Sequence, residues 1–294
     1  MSHYKPTVFS GAATALITPF LHGTVDYRSL GKMIDLQISN GIHALLIAGT
    51  TGESATLSIK EYETLTVFAK NRIGGRIPLL VGCGSNSTAH AIELARTVCD
   101  AGADALLAVS PYYNKATDLG LISHYSAIAD AAKRPLLLYN VPSRTGVKIS
   151  LPVYRVLAAH ENIVGVKEAS GDLELLESLC EECGDRLDIY TGNDPQTVIA
   201  MKLGALGVIS VYSNLYPMEM SNLCDLCLSG DYKTANRHMR DLLPKMHALF
   251  WEVNPIPVKY VAALCGLCSA EYRLPLCPPS PEVSQRLKAL FLES

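Results

Sequence analysis

The sequence predicts an α/β protein whose fold is a (β/α)8 TIM barrel with a C-terminal helical extension. About eight apolar runs of strand length alternate with amphipathic helical patterns, as in a parallel sheet covered by helices. Three of these runs directly follow a glycine that ends a helical pattern, which is typical of the loops between helices and strands. The length of 294 residues suits one barrel with an extension.

The predicted strands fall into two groups, three that belong to a weak internal repeat and five others. The three that follow a glycine form a weak internal repeat, in which the glycine takes the left-handed position at a helix end. These repeat segments are 40–47, 101–108 and 203–210. Other strands are predicted at 13–17, 78–81, 135–139, 163–167 and 188–190.

Capping residues mark the starts of several predicted helices. Asp26 can cap the first helix, and Ser58 forms a capping box with Glu61 before the second. Asp194, with Pro195 at the first helical position, is expected to open a later helix. A doubly wound open sheet is the alternative fold, but the first strand is not followed by G-x-G-x-x-G and the sequence has no P-loop.

After the last predicted strand the pattern is helical to the C-terminus. We therefore expect a catalytic barrel over 1–216 and a helical extension over 217–294, packed against the barrel or a partner chain. Charged residues make up only 18% of the chain, so part of the surface is expected to be buried between subunits.

Charge and hydropathy exclude two classes of partner. The chain has 25 basic and 28 acidic residues and lacks a basic block, so a nucleic-acid partner is not expected. The first six residues, Met1 to Pro6, lack the apolar stretch of a signal peptide, and no later run is long enough to span a bilayer. These features predict a cytoplasmic protein without a membrane partner.

Nine cysteines include three pairs with CxxC spacing. The pairs are Cys180/Cys183, Cys224/Cys227 and Cys265/Cys268. Each lies in or beside a helical pattern, without the glycine-rich knuckle or nearby histidine of a zinc site. We therefore interpret them as reduced, small buried side chains, and expect neither a metal nor a redox pair.

The end of the strand at 163–167 carries Lys167, the strongest catalytic candidate in the sequence. Active sites of barrels of this kind gather at the carboxyl ends of the strands. A lysine partly removed from water there has a lowered pKa, which supplies the neutral amine needed for Schiff-base chemistry. The alternative is a lysine that reaches solvent or pairs with Glu168.

Other strand ends carry polar residues that can serve the same site. Tyr139 can relay a proton to or from a lysine imine, although it can also simply cap the barrel core. Arg144 can bind a substrate carboxylate with two hydrogen bonds. The turn that includes Thr50 and Thr51 allows the backbone to approach a ligand, and Pro111-Tyr112-Tyr113 adds two phenols.

Several motifs together resemble the dihydrodipicolinate synthase family over nearly the whole chain, in the family's order and spacing. They are Gly49-Thr50-Thr51-Gly52-Glu53, Pro111-Tyr112-Tyr113, Tyr139-Asn140-Val141-Pro142-Ser143-Arg144-Thr145-Gly146, Gly165-Val166-Lys167-Glu168, Gly207-Val208-Ile209-Ser210 and Asn254-Pro255-Ile256-Pro257-Val258-Lys259. The resemblance implies a cofactor-free condensation of pyruvate with aspartate semialdehyde. It also implies a homotetramer built from two tight dimers.

The resemblance also implies a role for each matching residue. Lys167 would form the imine with pyruvate, and Arg144 would bind the carboxylate of aspartate semialdehyde. The proton relay would consist of Tyr139, Thr50 and Tyr113, the last lent by a neighbouring subunit. Pyruvate would be held by Thr51, Gly192 and the backbone of Ile209.

One departure from the family concerns feedback by lysine. Regulated bacterial members hold lysine at the dimer interface with histidines and a glutamate, and this chain has Ile59, Tyr62 and His90 there. The retained positions of this effector site are Ser54, Ala55, Asn86 and Tyr112. Without a carboxylate at position 90 the lysine ammonium loses its best acceptor, so we expect weak or absent inhibition.

Two other functions remain open at the level of sequence. The first is a pyruvate-dependent aldolase or hydro-lyase that acts on another aldehyde or a sugar acid. Arg144 in Ser143-Arg144-Thr145-Gly146 argues against sugar-acid lyases, which are expected to lack an arginine there. The second is a catalytically silent barrel, which would have no need for Lys167, Tyr139, Thr50 and Arg144 together.

Overall fold

The structure, a computed structural model, describes residues 5–292 and confirms the predicted barrel. Its strands are β1 (Gly11–Ala15), β2 (Phe20–Leu21), β3 (Thr24–Val25), β4 (Ala44–Ile47), β5 (Leu79–Gly82), β6 (Ala105–Val109), β7 (Leu136–Asn140), β8 (Ile163–Glu168), β9 (Asp188–Thr191) and β10 (Gly207–Ser210). All except the antiparallel pair β2 and β3 are parallel. These eight close in the order β1-β10-β9-β8-β7-β6-β5-β4.

Helices cover the barrel and continue beyond it. Within the described residues they are α1 (Tyr27–Ser39), α2 (Ile59–Ile73), α3 (Thr88–Asp100), α4 (Asp118–Ala132), α5 (Pro142–Thr145), α6 (Leu151–Leu157), α7 (Leu173–Cys183), α8 (Thr197–Lys202), α9 (Pro217–Leu228), α10 (Tyr232–Ala248), α11 (Ile256–Leu264) and α12 (Pro281–Leu292). After the barrel, α9 packs on β1, α8 and α10, and α11 packs on α12. None of the described helices is both long and apolar enough to cross a bilayer.

Residues 1–4 and 293–294 lie outside the described residues, and with them most of the segment in which we expect no signal peptide. The outer limits of the predicted regions 1–216 and 217–294 lie there as well.

Local signals in the sequence predict most element boundaries correctly. Asp26 caps α1, and Ser58 with Glu61 forms the capping box of α2. The glycines before three strands, Gly41, Gly102 and Gly204, all have positive φ angles, as a left-handed helix end requires. The prediction that Asp194 opens a helix needs correction. Asp194 lies in a short 3-10 turn, and its side chain does not cap α8.

The interior of the barrel is apolar and closed at the end where the strands begin. Leu46, Leu80 and Leu137 fill it with other buried side chains. Phe9, just before β1, stacks on Tyr190 with ring centroids 4.2 Å apart, and the Tyr190 hydroxyl donates a hydrogen bond to the Phe9 carbonyl at 2.6 Å. The polar side chains described below therefore gather at the opposite end.

Candidate active site

Lys167 lies near the end of β8, with only 5% of its surface exposed. Its Nζ is 4.5 Å from the centroid of the Tyr139 ring, and the two residues are neighbours in the register of β7 and β8. The next residue, Glu168, accepts hydrogen bonds from the Asn140 side chain at 2.8 Å and the Ser170 N–H at 2.7 Å. Its carboxylate is thus engaged away from Lys167, which contradicts the pairing considered from the sequence.

Burial makes the Lys167 amine less basic. Loss of water lowers the pKa of Lys167 from its ordinary 10.5 to about 8. The negative charge of Asp194 acts in the opposite direction, and the positive charge of Arg144 adds to the decrease. On the order of a tenth of the amine is therefore neutral at pH 7 and about half at pH 8, and the neutral form is the nucleophile that attacks a carbonyl carbon.

This pKa predicts how the reaction with pyruvate depends on pH. Only the neutral amine attacks a carbonyl, so the rate of imine formation should rise with pH and level off above about 8. Initial rates of borohydride-trapped adduct between about pH 6 and pH 10 would measure it. The control is Nα-acetyl-lysine, whose free side-chain amine has an ordinary pKa of about 10.4, so its rate of adduct formation should keep rising up to pH 10. A midpoint near 10.5 for the protein would contradict the prediction.

Tyr139 and Thr50 lie close together near Lys167. Both line a cavity of about 30 Å³, together with Ala48 and Gly49. Burial raises the pKa of the Tyr139 phenol, while the charge of Arg144 and a hydrogen bond with the Thr50 hydroxyl act to lower it. The phenol is therefore protonated at neutral pH and can donate a proton before it accepts one.

Asn254 connects two of the predicted substrate-binding residues. Its side-chain N–H donates to the Thr51 hydroxyl at 2.9 Å, and its backbone carbonyl accepts from the Arg144 guanidinium at 2.9 Å. Thr51 is buried, whereas Arg144 is exposed at the end of α5. In the sequence Asn254 stands out only as part of a motif, since no local pattern shows that it contacts both Thr51 and Arg144.

Gly192 provides space for the lysine. It follows β9, and its N–H donates to the Glu168 carbonyl at 2.7 Å. A Cβ at this position would lie 2.8 Å from the Lys167 Cε and 2.6 Å from the Ala169 Cβ. Ile209 is buried in β10, where its backbone pairs with that of Ala13. Gly192, directly after β9, and Ile209, on β10, thus belong to the two strands that come after β8 in the barrel.

Asp194, which the sequence pattern places at a helix start, lies close enough to Lys167 for the charge of each residue to affect the pKa of the other. It is fully buried, and its Oδ2 accepts from the N–H groups of Val211 and Tyr212 at 3.0 and 2.9 Å. Its Oδ1 has no hydrogen-bond partner among residues 5–292. Burial raises the pKa of Asp194, and the Lys167 charge opposes the rise. Its position after β9 is the signal that could have marked it as a site residue, because catalytic groups follow barrel strands.

Tyr112 and Tyr113 follow β6 and differ in their surroundings. Tyr112 lines a cavity of about 340 Å³ that also reaches Thr50 and Arg144. Tyr113 is 89% exposed and has a φ of 73°, which is a strained backbone conformation for a tyrosine. Within the described part of the chain, the structure does not bring Tyr113 into contact with Lys167 or Tyr139.

The larger cavity includes most of the predicted effector residues. Ser54, Ala55 and Tyr112 line it, together with Tyr62 and His90. Asn86 and Ile59 are not among its lining residues. The Tyr62 hydroxyl donates to the Ser54 carbonyl at 3.3 Å, and the His90 ring lies 3.3 Å from the Glu93 carboxylate.

The CxxC pairs lie on or beside helices. They occur on α7, on α9 and directly after α11, and each cysteine is a free thiol. Cys183, Cys224 and Cys227 are buried as expected, but Cys265 is exposed, so the interpretation of all six as buried side chains is wrong. In the described residues, no group of three or more His, Cys, Asp or Glu side chains is placed to hold a metal ion.

Comparisons with known proteins agree with this geometry. The profile of the Dihydrodipicolinate synthetase family matches residues 8–293. The 4-hydroxy-tetrahydrodipicolinate synthase of Geobacter sulfurreducens is 45% identical over 286 residues, covering 97% of this chain and 99% of the relative. The enzyme of the same name from Pelobacter propionicus is 46% identical over 271 residues, covering 92% and 93%.

Solved structures give the same result. The dihydrodipicolinate synthase of Aquifex aeolicus superimposes with a TM-score of 0.95 at 40% identity, covering 97% of this chain and 98% of that one. The chloride-inhibited dihydrodipicolinate synthase of Acinetobacter baumannii, complexed with pyruvate, gives 0.94 at 40% identity, covering 96% and 97%. With the barrel, the buried lysine and these matches over nearly its full length, the chain belongs to the dihydrodipicolinate synthetase family.

Proposed function

We propose that the protein condenses pyruvate with L-aspartate 4-semialdehyde through a Schiff base to give 4-hydroxy-tetrahydrodipicolinate, a step of lysine and diaminopimelate biosynthesis. The observation that carries this proposal is the Lys167 amine, buried at the end of β8 beside the Tyr139 ring, with a pKa lowered to about 8. The relatives named as 4-hydroxy-tetrahydrodipicolinate synthases match nearly all of the chain.

The chemistry follows from an amine held in this way. The neutral Lys167 attacks the ketone carbon of pyruvate, and loss of water leaves a protonated imine. This imine draws electrons from the neighbouring methyl group, so a methyl proton leaves and an enamine forms. The enamine carbon attacks the aldehyde of the second substrate. The amine of that substrate then attacks the imine carbon, and closure of the ring releases Lys167.

We assign the remaining steps to other residues of the site and to a tyrosine of a neighbouring subunit. Tyr139, Thr50 and Tyr113 relay protons to and from the imine and the new hydroxyl group. Thr51, Gly192 and the Ile209 backbone hold pyruvate, and Arg144 binds the carboxylate of aspartate semialdehyde. The protonated imine itself acts as the electron sink, so the mechanism requires neither a metal nor a cofactor.

A homotetramer, assembled as a dimer of dimers, completes the proposal. Tyr113 reaches the relay only from a neighbouring subunit, and its exposure and strained backbone support this role. The low share of charged residues, 18%, also fits a chain with much buried contact surface. Sedimentation equilibrium would give the mass of four chains under this proposal, and a single-chain mass would contradict it.

Competing substrates test the assignment of the second substrate. We expect turnover of aspartate semialdehyde with pyruvate, and no cleavage of N-acetylneuraminate or of keto-deoxy sugar acids. The reason is that Arg144, at the cavity beside Thr50, suits a short carboxylate rather than a polyol. Preferential cleavage of a sugar acid would instead indicate a different aldolase of the same mechanism.

Lysine is expected to inhibit the enzyme weakly or not at all. The cavity that contains Ser54, Ala55 and Tyr112 has His90, already beside Glu93, where an ammonium would need a carboxylate. Steady-state rates measured with increasing lysine at neutral pH test this. A His90→Glu variant should be more sensitive than the parent protein, and a Lys60→Met variant, altered on the exposed face of α2, is the control. Inhibition of the parent by submillimolar lysine would contradict the prediction.

A further inference from the structure

Glu53 ends the Thr50–Glu53 turn in an unusual conformation. Its φ of 55° lies in the left-handed region, which a residue other than glycine adopts at some cost in free energy. The side chain is nevertheless buried, with 1% of its surface exposed. Such a conformation persists only when contacts around the residue hold it.

Both oxygens of the Glu53 carboxylate are held by residues that follow the barrel. The Lys259 Nζ on α11 lies 2.5 Å from Oε1, and the Lys259 side chain is completely buried. The N–H of Arg273 donates to Oε2 at 3.2 Å. Aromatic rings surround the ammonium, since Lys259 Nζ lies 4.1 Å from the centroid of Phe20 and 5.3 Å from that of Tyr272.

The same turn is fixed at two further points. The Thr51 hydroxyl accepts from Asn254, which lies two residues before α11, and the Gly52 carbonyl accepts from the Thr18 hydroxyl at 2.7 Å. The turn that carries Thr50 and Thr51 is therefore held from outside the barrel as well as from within it.

Stability alone gives little reason for such an ion pair. The cost of taking two charges out of water can equal or exceed their attraction, so a buried pair often adds no net stability over apolar side chains. Its geometry, however, is sharply defined, because each charge must meet its partner. A pair of this kind is suited to fixing the position of the backbone that carries it.

We propose that Glu53 is a positioning residue, whose buried bonds to Lys259 and Arg273 hold the Thr50–Thr51 turn in the place that proton transfer and pyruvate binding require. The chain after the barrel, through Lys259 and Arg273, would thus support the active site from outside without touching the substrate. This inference rests on the proposed function, because it assigns the turn to the reaction of pyruvate on Lys167.

Two double variants distinguish the effect of the hydrogen bond between residues 53 and 259 from the effect of their charges. In Glu53→Gln/Lys259→Gln, two neutral amides replace the ion pair and can still bond to each other. In Glu53→Gln/Lys259→Met, both charges are also absent, but the side chain at 259 cannot donate a hydrogen bond. The readouts are KM for pyruvate, kcat of the condensation, the exchange of pyruvate methyl protons in D2O, and the unfolding temperature.

If the hydrogen bond between residues 53 and 259 positions the turn, the two variants should differ in activity. Glu53→Gln/Lys259→Gln should keep methyl exchange close to the parent rate, while Glu53→Gln/Lys259→Met should lose about 10- to 100-fold and raise KM for pyruvate. A purely structural pair would shift the unfolding temperature of both variants and leave the kinetics of the folded proteins unchanged. Parent-like exchange and KM in a folded Glu53→Gln/Lys259→Met protein would overturn the proposal.

Two further measurements keep the test decisive. Lys70→Met, which removes the partly exposed ion pair with Asp104 just before β6, is the control for a lysine ion pair away from the turn and should leave exchange unchanged. If the methionine variant does not fold, Lys259→Arg is used, because the larger guanidinium must displace the Glu53 carboxylate; altered KM supports the proposal and parent kinetics overturn it. Failure of the parent protein to exchange pyruvate protons at all would instead overturn the proposed function.

Discussion

Lys167→Met is expected to lower the condensation rate by on the order of 10⁴-fold or more, because it removes the nucleophile itself. The unbranched methionine side chain fits the space of the buried lysine without a charge. Methyl-proton exchange of pyruvate should fall together with turnover, since both require the imine on Lys167. Steady-state rates and NMR of the exchange would measure the two effects.

The folded state should tolerate this change. The pKa of Lys167 is about 8 in the folded chain and 10.5 when unperturbed, so the unfolded chain binds the proton more tightly. The buried ammonium thus costs stability below about pH 8, and this cost disappears as the pH rises above 10.5. Lys167→Met should therefore unfold at a higher temperature than the parent at neutral pH. Lys148→Met, at the exposed lysine paired with Asp172, is the activity control. Substantial residual exchange in Lys167→Met would contradict the assignment.

Gly192→Ala is expected to lower turnover by about 100-fold, because the new Cβ would meet the lysine. That Cβ would lie 2.8 Å from the Lys167 Cε, a distance that forces the amine to move. The position of Gly192 does not require a positive φ, so the effect comes from lost space and not from backbone strain. Kinetics of exchange and condensation would show the loss, together with a slower appearance of trapped adduct.

A glycine elsewhere provides the control for this effect. Gly120→Ala, on α4, would place its Cβ 3.4 Å from the Ala116 Cβ, which is ordinary contact, and alanine favours a helix. This variant should keep full activity and gain slightly in stability. Parent activity in Gly192→Ala would show that the lysine does not need the space that Gly192 leaves.

Local signals in the sequence account for most of the fold. The buried strands are continuous apolar runs, and the glycines before them must adopt positive φ angles, so both are visible without tertiary information. The strand predicted at 13–17 begins earlier, at Gly11, because pairing with β10 starts there. Such a shift depends on pairing with the neighbouring strand, and a local sequence pattern carries no information about that pairing.

The site could be predicted only in part, because its residues come from distant segments. Lys167 and Tyr139 end strands and are conspicuous, but Asp194 has the pattern of a helix cap and instead binds the N–H groups of Val211 and Tyr212. The contact between Glu53 and Lys259 joins residues 206 positions apart. Composition and periodicity contain no information about such a pair.

If Lys167 forms the imine with pyruvate, reduction with borohydride should trap the adduct on this residue. The parent protein is mixed with pyruvate, reduced, digested and mapped by mass spectrometry, with Lys167→Met treated in parallel. Reduction converts an imine into a stable amine at the residue that formed it. We predict one pyruvyl adduct on Lys167 of the parent protein and none in the variant. No adduct, or one spread over surface lysines, would contradict the mechanism and favour a catalytically silent barrel.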